Sequence, residues 1–190
     1  MYDQDVYRNL IVITDRHLSQ QPLSERLAGL AALSPAGVIL REKDLDEAAY
    51  EALAGEAARA LGSVPLFVRR KEAADQLRIP RLHLSAGELS AAGPLSGFSE
   101  LSVSCHSLED VRRAEDAGAD RIILGTIFET DCKPGLTGRG LDFLREICEK
   151  TALPVYAIGG IREEILPRLL AAGAAGGCMM SRYMRMELPL

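Results

Sequence analysis

Eight short apolar runs, each followed by a longer amphipathic or broken stretch, recur along the chain, and this alternation limits the possible folds more than any other feature. The runs fall at residues 10–14, 37–40, 65–68, 81–84, 101–105, 121–124, 154–158 and 177–180. They are almost continuously apolar, so both faces of each strand should be covered, as in a parallel sheet wrapped by helices. Helices are predicted over 22–33, 46–61, 71–77, 108–117, 141–150 and 161–172, with a weak segment at 88–97 that Gly and Pro interrupt. Ser107 has the chemistry of an N-cap, and Gly62, Gly118 and Gly173 stand where helices should stop. Eight strand–helix units close a barrel. The expected fold is therefore α/β, a single (β/α)8 TIM barrel over residues 1–190 with a truncated last helix. An open doubly wound sheet is the runner-up. Only residues 181–190 follow the last strand, so the segment 182–186 or a partner subunit, in a possible homo-oligomer, would close the bottom of the barrel.

Charge narrows the partners. The net charge is −5 and the pI is about 5.3, a balance that repels nucleic acid and anionic membranes. The N-terminal MYDQDVYR lacks the basic region of a signal or transit peptide. No apolar run approaches the roughly 18 residues of a membrane span. Cys105, Cys132, Cys148 and Cys178 show no C-x-x-C spacing, which speaks against a zinc site or disulfide framework and for a reducing cytoplasm.

An anion would need a local pocket, and the last two strands offer one. Ile158-Gly159-Gly160-Ile161 follows the seventh, and Met179-Met180-Ser181-Arg182 follows the eighth. Glycines at a strand end let backbone N–H groups approach an anion, and a helix starting near Ser181 would aim further N–H groups at it. In barrels these two loops are the recurring phosphate site. Gly159, Gly160, Met180 and Ser181 are thus expected to converge on one phosphate.

The residues that carry chemistry also carry a resemblance. Leu40-Arg41-Glu42-Lys43, Ser104-Cys105-His106-Ser107, Ala117-Gly118-Ala119-Asp120, Leu124-Gly125-Thr126-Ile127-Phe128, Thr130-Asp131-Cys132-Lys133 and Ala157-Ile158-Gly159-Gly160-Ile161 resemble the thiamin phosphate synthase superfamily. The stretch from Phe128 to Gly140 is most similar to its TenI-like branch, the thiazole tautomerases. For a synthase, which joins a pyrimidine diphosphate to a thiazole phosphate with loss of diphosphate and uses Mg2+, the resemblance implies that Arg41 and Lys43 neutralise the diphosphate. Ser104 would face the pyrimidine, Thr130 and Lys133 would hold diphosphate, and Gly160 and Ser181 would hold the thiazole phosphate.

The chain departs from that pattern at several places. Ile39 stands where the synthases have Gln, Val68-Arg69 where they have Asn-Asp, and Ala86-Gly87-Glu88 where they have Gln-Asp-Asp. Only Glu72 and Glu88 lie near the lost Mg2+ ligands, so no metal ligand is expected, and Mg2+ only if the chain is a synthase. A tautomerase needs no metal, but its acid/base histidine is replaced here by Thr126. The sequence therefore points to a phosphorylated thiazole-like ligand and metal-independent proton transfer, with His106 as acid/base and Thr126 positioning. A synthase and a non-catalytic phosphate-ligand binding protein are the alternatives. His83 reads as a core histidine and His17 as a surface one. Arg139 either reaches over the site to an anion or stays exposed.

Overall fold

The computed structural model describes residues 4–130, 135 and 137–187. Eight strands close into a barrel in sequence order: β1 (Leu10–Ile13), β2 (Gly37–Leu40), β3 (Leu66–Val68), β4 (Arg81–Ser85), β5 (Glu100–Cys105), β6 (Arg121–Gly125), β7 (Val155–Ile158) and β8 (Gly176–Met179). Pairing is parallel, with Ile13 opposite Ile39, Leu40 opposite Val68, Leu124 opposite Ala157 and Ile158 opposite Cys178. The α/β barrel expected from the alternation is the fold observed. Every residue of β1 and β2 is buried, as expected for strands covered on both faces.

Two compact units make up the chain, residues 1–82 with 179–190, and residues 83–178. In the first, α1 (Gln4–Tyr7) precedes β1, and α2 (Leu23–Ala31), α3 (Glu47–Leu61) and α4 (Lys71–Leu77) follow β1, β2 and β3. α3 shows how the sequence fixes a helix. Asp46 caps it by accepting from Ala49 N at 2.8 Å, and Gly62, at φ +58°, ends it. Tyr50, Ala54, Ala57 and Leu61 repeat at helical spacing and are all buried. The short last helix α8 (Ser181–Arg185) buries Tyr183 and Met184, a gain of roughly 1.5–3 kcal/mol per large side chain. Tyr183 meets Tyr7 edge-on at 6.4 Å, and Arg26 Nη1 donates to Met186 O at 2.5 Å. The C-terminal segment is thus anchored within its own unit.

The second unit carries α5 (Leu108–Asp116), α6 (Gly140–Lys150) and α7 (Leu166–Ala171). Ser107 caps α5 as expected, its hydroxyl accepting from Asp110 N at 3.1 Å. Between β4 and β5 there is only a 3-10 turn, Leu89–Ala91, where Gly and Pro break the weak segment. The helix expected over 161–172 starts late, as a 3-10 turn at Glu163–Ile165 followed by α7. Pro167 explains this: it lacks the N–H that an earlier start would need, so it fits only a first helical turn. No helix among the described residues is long and apolar enough to cross a membrane.

Candidate functional site

In the first unit, a polar network joins the C-terminal ends of β1 and β2. Thr14, fully buried, donates its hydroxyl to Glu42 Oε1 at 2.6 Å and accepts from Arg41 N at 3.0 Å. Glu42 also accepts from Arg16 N at 3.1 Å and from Arg16 Nη1 at 3.1 Å. The Arg16 guanidinium spans to Asp44 Oδ1 at 2.7 Å, and His17 Nε2 lies 3.1 Å from Asp44 Oδ2. The Arg16 hydrogen bond holds the Asp44 carboxyl well below its usual range, and Asp44 in turn raises Arg16. Of the Arg41-Glu42-Lys43 cluster, Arg41 is half-buried and Lys43 exposed, while Glu42 is only 3% exposed. Sequence reasoning missed Glu42 as the organising group. Its neighbours resemble a solvated strand end, and only the pairing of β1 with β2 brings Thr14 to it.

Tyr50 fastens the ends of β2 and β3. Its buried hydroxyl donates to Leu40 O and accepts from Arg69 N, both at 2.8 Å, while the Arg70 guanidinium stacks 4.5 Å from the ring centre. Tyr50→Phe leaves a buried carbonyl and N–H short of their shared partner, so it is expected to cost about 1–3 kcal/mol in urea denaturation. Burial pushes the Tyr50 hydroxyl up to about 12. An unfolded tyrosine ionises at about pH 10, so the unfolded chain releases its proton first. Stability contributed by Tyr50 is therefore present below about pH 10 and lost between about pH 10 and 12. The phenylalanine variant should show a shallower loss across that window. Met180 and Ser181 open α8, both half-buried.

In the second unit, the loop after β6 is pinned at both roots. Ile127 N donates to Ile158 O at 2.9 Å and Phe128 N to Gly159 O at 3.0 Å, extending the pairing of β6 with β7. Arg139 N and Gly140 N then return to Thr126 O and Ile127 O at 3.0 and 2.8 Å. Gly159 and Gly160 have φ of +101° and +63°. A Cβ on Gly159 would lie 2.4 Å from Thr126 Cγ2, and one on Gly160 would lie 2.5 Å from Glu129 O. Both glycines are therefore required by conformation and by space. Thr126 is half-buried against this turn. Thr130 is half-buried beyond it, and Lys133 and Cys132 lie outside the described residues.

His106 is exposed but oriented. Its Nδ1 lies 2.7 Å from Gly125 O. A carbonyl only accepts, so Nδ1 carries the proton and the neutral ring keeps its lone pair on Nε2. Arg139 Nη1 donates to His106 O at 2.5 Å and its guanidinium stacks 3.4 Å over Phe143. Of the two roles open to Arg139, this contact fits a local brace. Cys105 is fully buried and burial pushes its thiol up to about 12, which makes it a poor nucleophile. His83 is a core histidine as expected, 4% exposed. Its Nδ1 lies 2.9 Å from Ser102 Oγ and its Nε2 2.9 Å from Ser104 Oγ. The tie between His83 and Ser104 was missed, although residues alternating on two adjacent strands could have signalled it.

A family model described as thiamine monophosphate synthase matches residues 10–183. The chain is 33% identical over 194 residues to the thiamine-phosphate synthase of Methanocella arvoryzae, covering 94% of this chain and 88% of that one. It is 30% identical over 189 residues to the thiamine-phosphate synthase of Clostridium novyi, covering 95% and 93%. Among solved structures, thiamine phosphate pyrophosphorylase from Pyrococcus furiosus superposes with a TM-score of 0.82 at 26% identity, covering 97% of this chain and 90% of that one.

Proposed function

Since this chain belongs to the thiamine monophosphate synthase family, we propose that it binds a thiazole phosphate and couples it to a pyrimidine diphosphate, releasing diphosphate. What carries this reading is similarity to chains named as synthases over nearly the full length of both partners. Each unit has its own proposed share. In the second, the tight Gly159-Gly160 turn offers amides to phosphate, Ser104 faces the pyrimidine, and Thr130 and Lys133 take diphosphate. In the first, Arg41 and Lys43 take diphosphate charge, a task suited to a fork and a point charge. Met180 and Ser181 contribute phosphate contacts there.

Mg2+ is the family's usual ion, and the described donors do not fit it. Glu42 and Asp44 are committed to Arg16, and Glu88 accepts from Ser85 N and Oγ. No group of three His, Cys, Asp or Glu among the described residues is arranged to hold a metal. The test is to incubate the purified chain with both substrates, with Mg2+ or with a chelator, and follow thiamin phosphate. Product is expected, with Arg41→Gln lowering kcat/KM about tenfold. Absence of product in both conditions overturns the coupling reading.

A second reading, tautomerisation of a carboxythiazole phosphate, is favoured by one observation: His106 is tethered through Nδ1 with Nε2 as its base. Aromatisation of the tautomer that disappears in His106→Asn would establish it. A rate equal to buffer would remove it.

A further inference from the structure

The trio Ser102, His83 and Ser104 forms a hydrogen-bonded line through the second unit. A neutral imidazole has one N–H and one lone pair, and both of its nitrogens face a hydroxyl at 2.9 Å. Ser102 is fully buried, and His83 is the only hydrogen-bond partner of its hydroxyl among the described residues. A buried hydroxyl hydrogen left without an acceptor is costly. Ser102 therefore donates to Nδ1, and the ring proton sits on Nε2. Nε2–H then donates to Ser104 Oγ, so the Ser104 hydrogen points onward, away from the ring. Ser104 is half-buried, and no acceptor among the described residues takes that hydrogen.

We propose that His83 is a positioning residue that fixes Ser104 as an outward hydrogen-bond donor, which selects a ligand with an acceptor atom such as a ring nitrogen. The alternative tautomer would turn the Ser104 oxygen outward and select a donor instead. Ser102 is thus part of the specificity device, holding the ring in one sense from a position no ligand touches. This deepens the coupling reading, on which it rests for the identity of the heterocycle as a pyrimidine.

The test uses binding rather than turnover. The full chain is titrated calorimetrically, without thiazole phosphate, with the pyrimidine diphosphate and with two analogues in which either ring nitrogen is replaced by C–H. Wild type should bind one analogue about tenfold more weakly than the parent, because an oriented donor is left without its acceptor. His83→Phe and Ser104→Ala should bind all three compounds within about threefold, the range of a modest hydrogen bond. His83→Gln, whose amide can supply an N–H, should restore part of the discrimination. Thermal unfolding shows which variants are folded, and Ser104→Ala carries the comparison if His83→Phe is not.

Wild type that binds all three compounds alike, or binds none, overturns the proposal. So does a folded His83→Phe that keeps the discrimination. If thiamin phosphate forms but discrimination ignores His83, the coupling reading stands and this inference falls. Discrimination through His83 without thiamin phosphate gives the reverse.

Discussion

Gly159→Ala should lower the stability of the chain by about 2–4 kcal/mol. Two causes act together. A φ of +101° lies outside the regions open to a residue with a Cβ. The new carbon would also sit 2.4 Å from Thr126 Cγ2 and 3.2 Å from both Ile127 N and Phe128 O. Thr126→Ser removes the first contact and leaves the backbone strain untouched. Combined with Gly159→Ala it should therefore recover only part of the loss, a non-additivity of about 0.5–2 kcal/mol for groups in contact. Urea denaturation of the two single variants and the double closes the cycle. A Gly159→Ala chain as stable as wild type would show that the turn is not held as described. Because the same turn offers the proposed phosphate amides, the variant should also bind a phosphate monoester more weakly.

The second large effect is expected at Glu42. Glu42→Ala leaves the fully buried Thr14 hydroxyl and the Arg16 N–H without an acceptor and takes one of two carboxylates from the Arg16 guanidinium, which keeps Asp44. Removing one partner of a buried ion pair costs about 3–5 kcal/mol. The Arg16 side chain is 27% exposed, so solvent offsets part of this, and about 2–4 kcal/mol is expected. For a chain of this length, each 1 kcal/mol lowers Tm by about 2–4 °C. Glu42→Gln keeps the shape but turns an N–H toward groups that already donate, so it should fall between alanine and wild type. A melting curve unchanged in Glu42→Ala would contradict the network. Asp44, held low by Arg16, contributes stability above the unfolded carboxylate range, and that contribution disappears as pH falls below it.

These two residues also mark what the sequence made legible. The glycine pair was readable because a turn that needs positive φ leaves a mark in residue type. The strands were readable because burial on both faces demands unbroken apolar runs, and the Ser107 cap because its hydroxyl bonds locally. The hydrogen-bond partners of Glu42 and His83 were not, since they come from a neighbouring strand and only register brings Thr14 or Ser104 into reach. α1 is a single turn of four residues, too short to show a period. The late start of α7 follows from one proline in an otherwise helical pattern. His106 was legible as a candidate, but its tether to a backbone carbonyl was not, because a carbonyl has no letter in the sequence.

The knotting of residues 126–128 to both 139–140 and 158–159 has an evolutionary consequence. With its two feet fixed by main-chain bonds, the intervening stretch can change letters or length without disturbing β6 or α6, and closing a longer excursion costs only about 0.6 kcal/mol per doubling. Natural variation can therefore rewrite the residues between these two feet while leaving the scaffold untouched, so relatives with the same barrel are free to diverge in the chemistry they host.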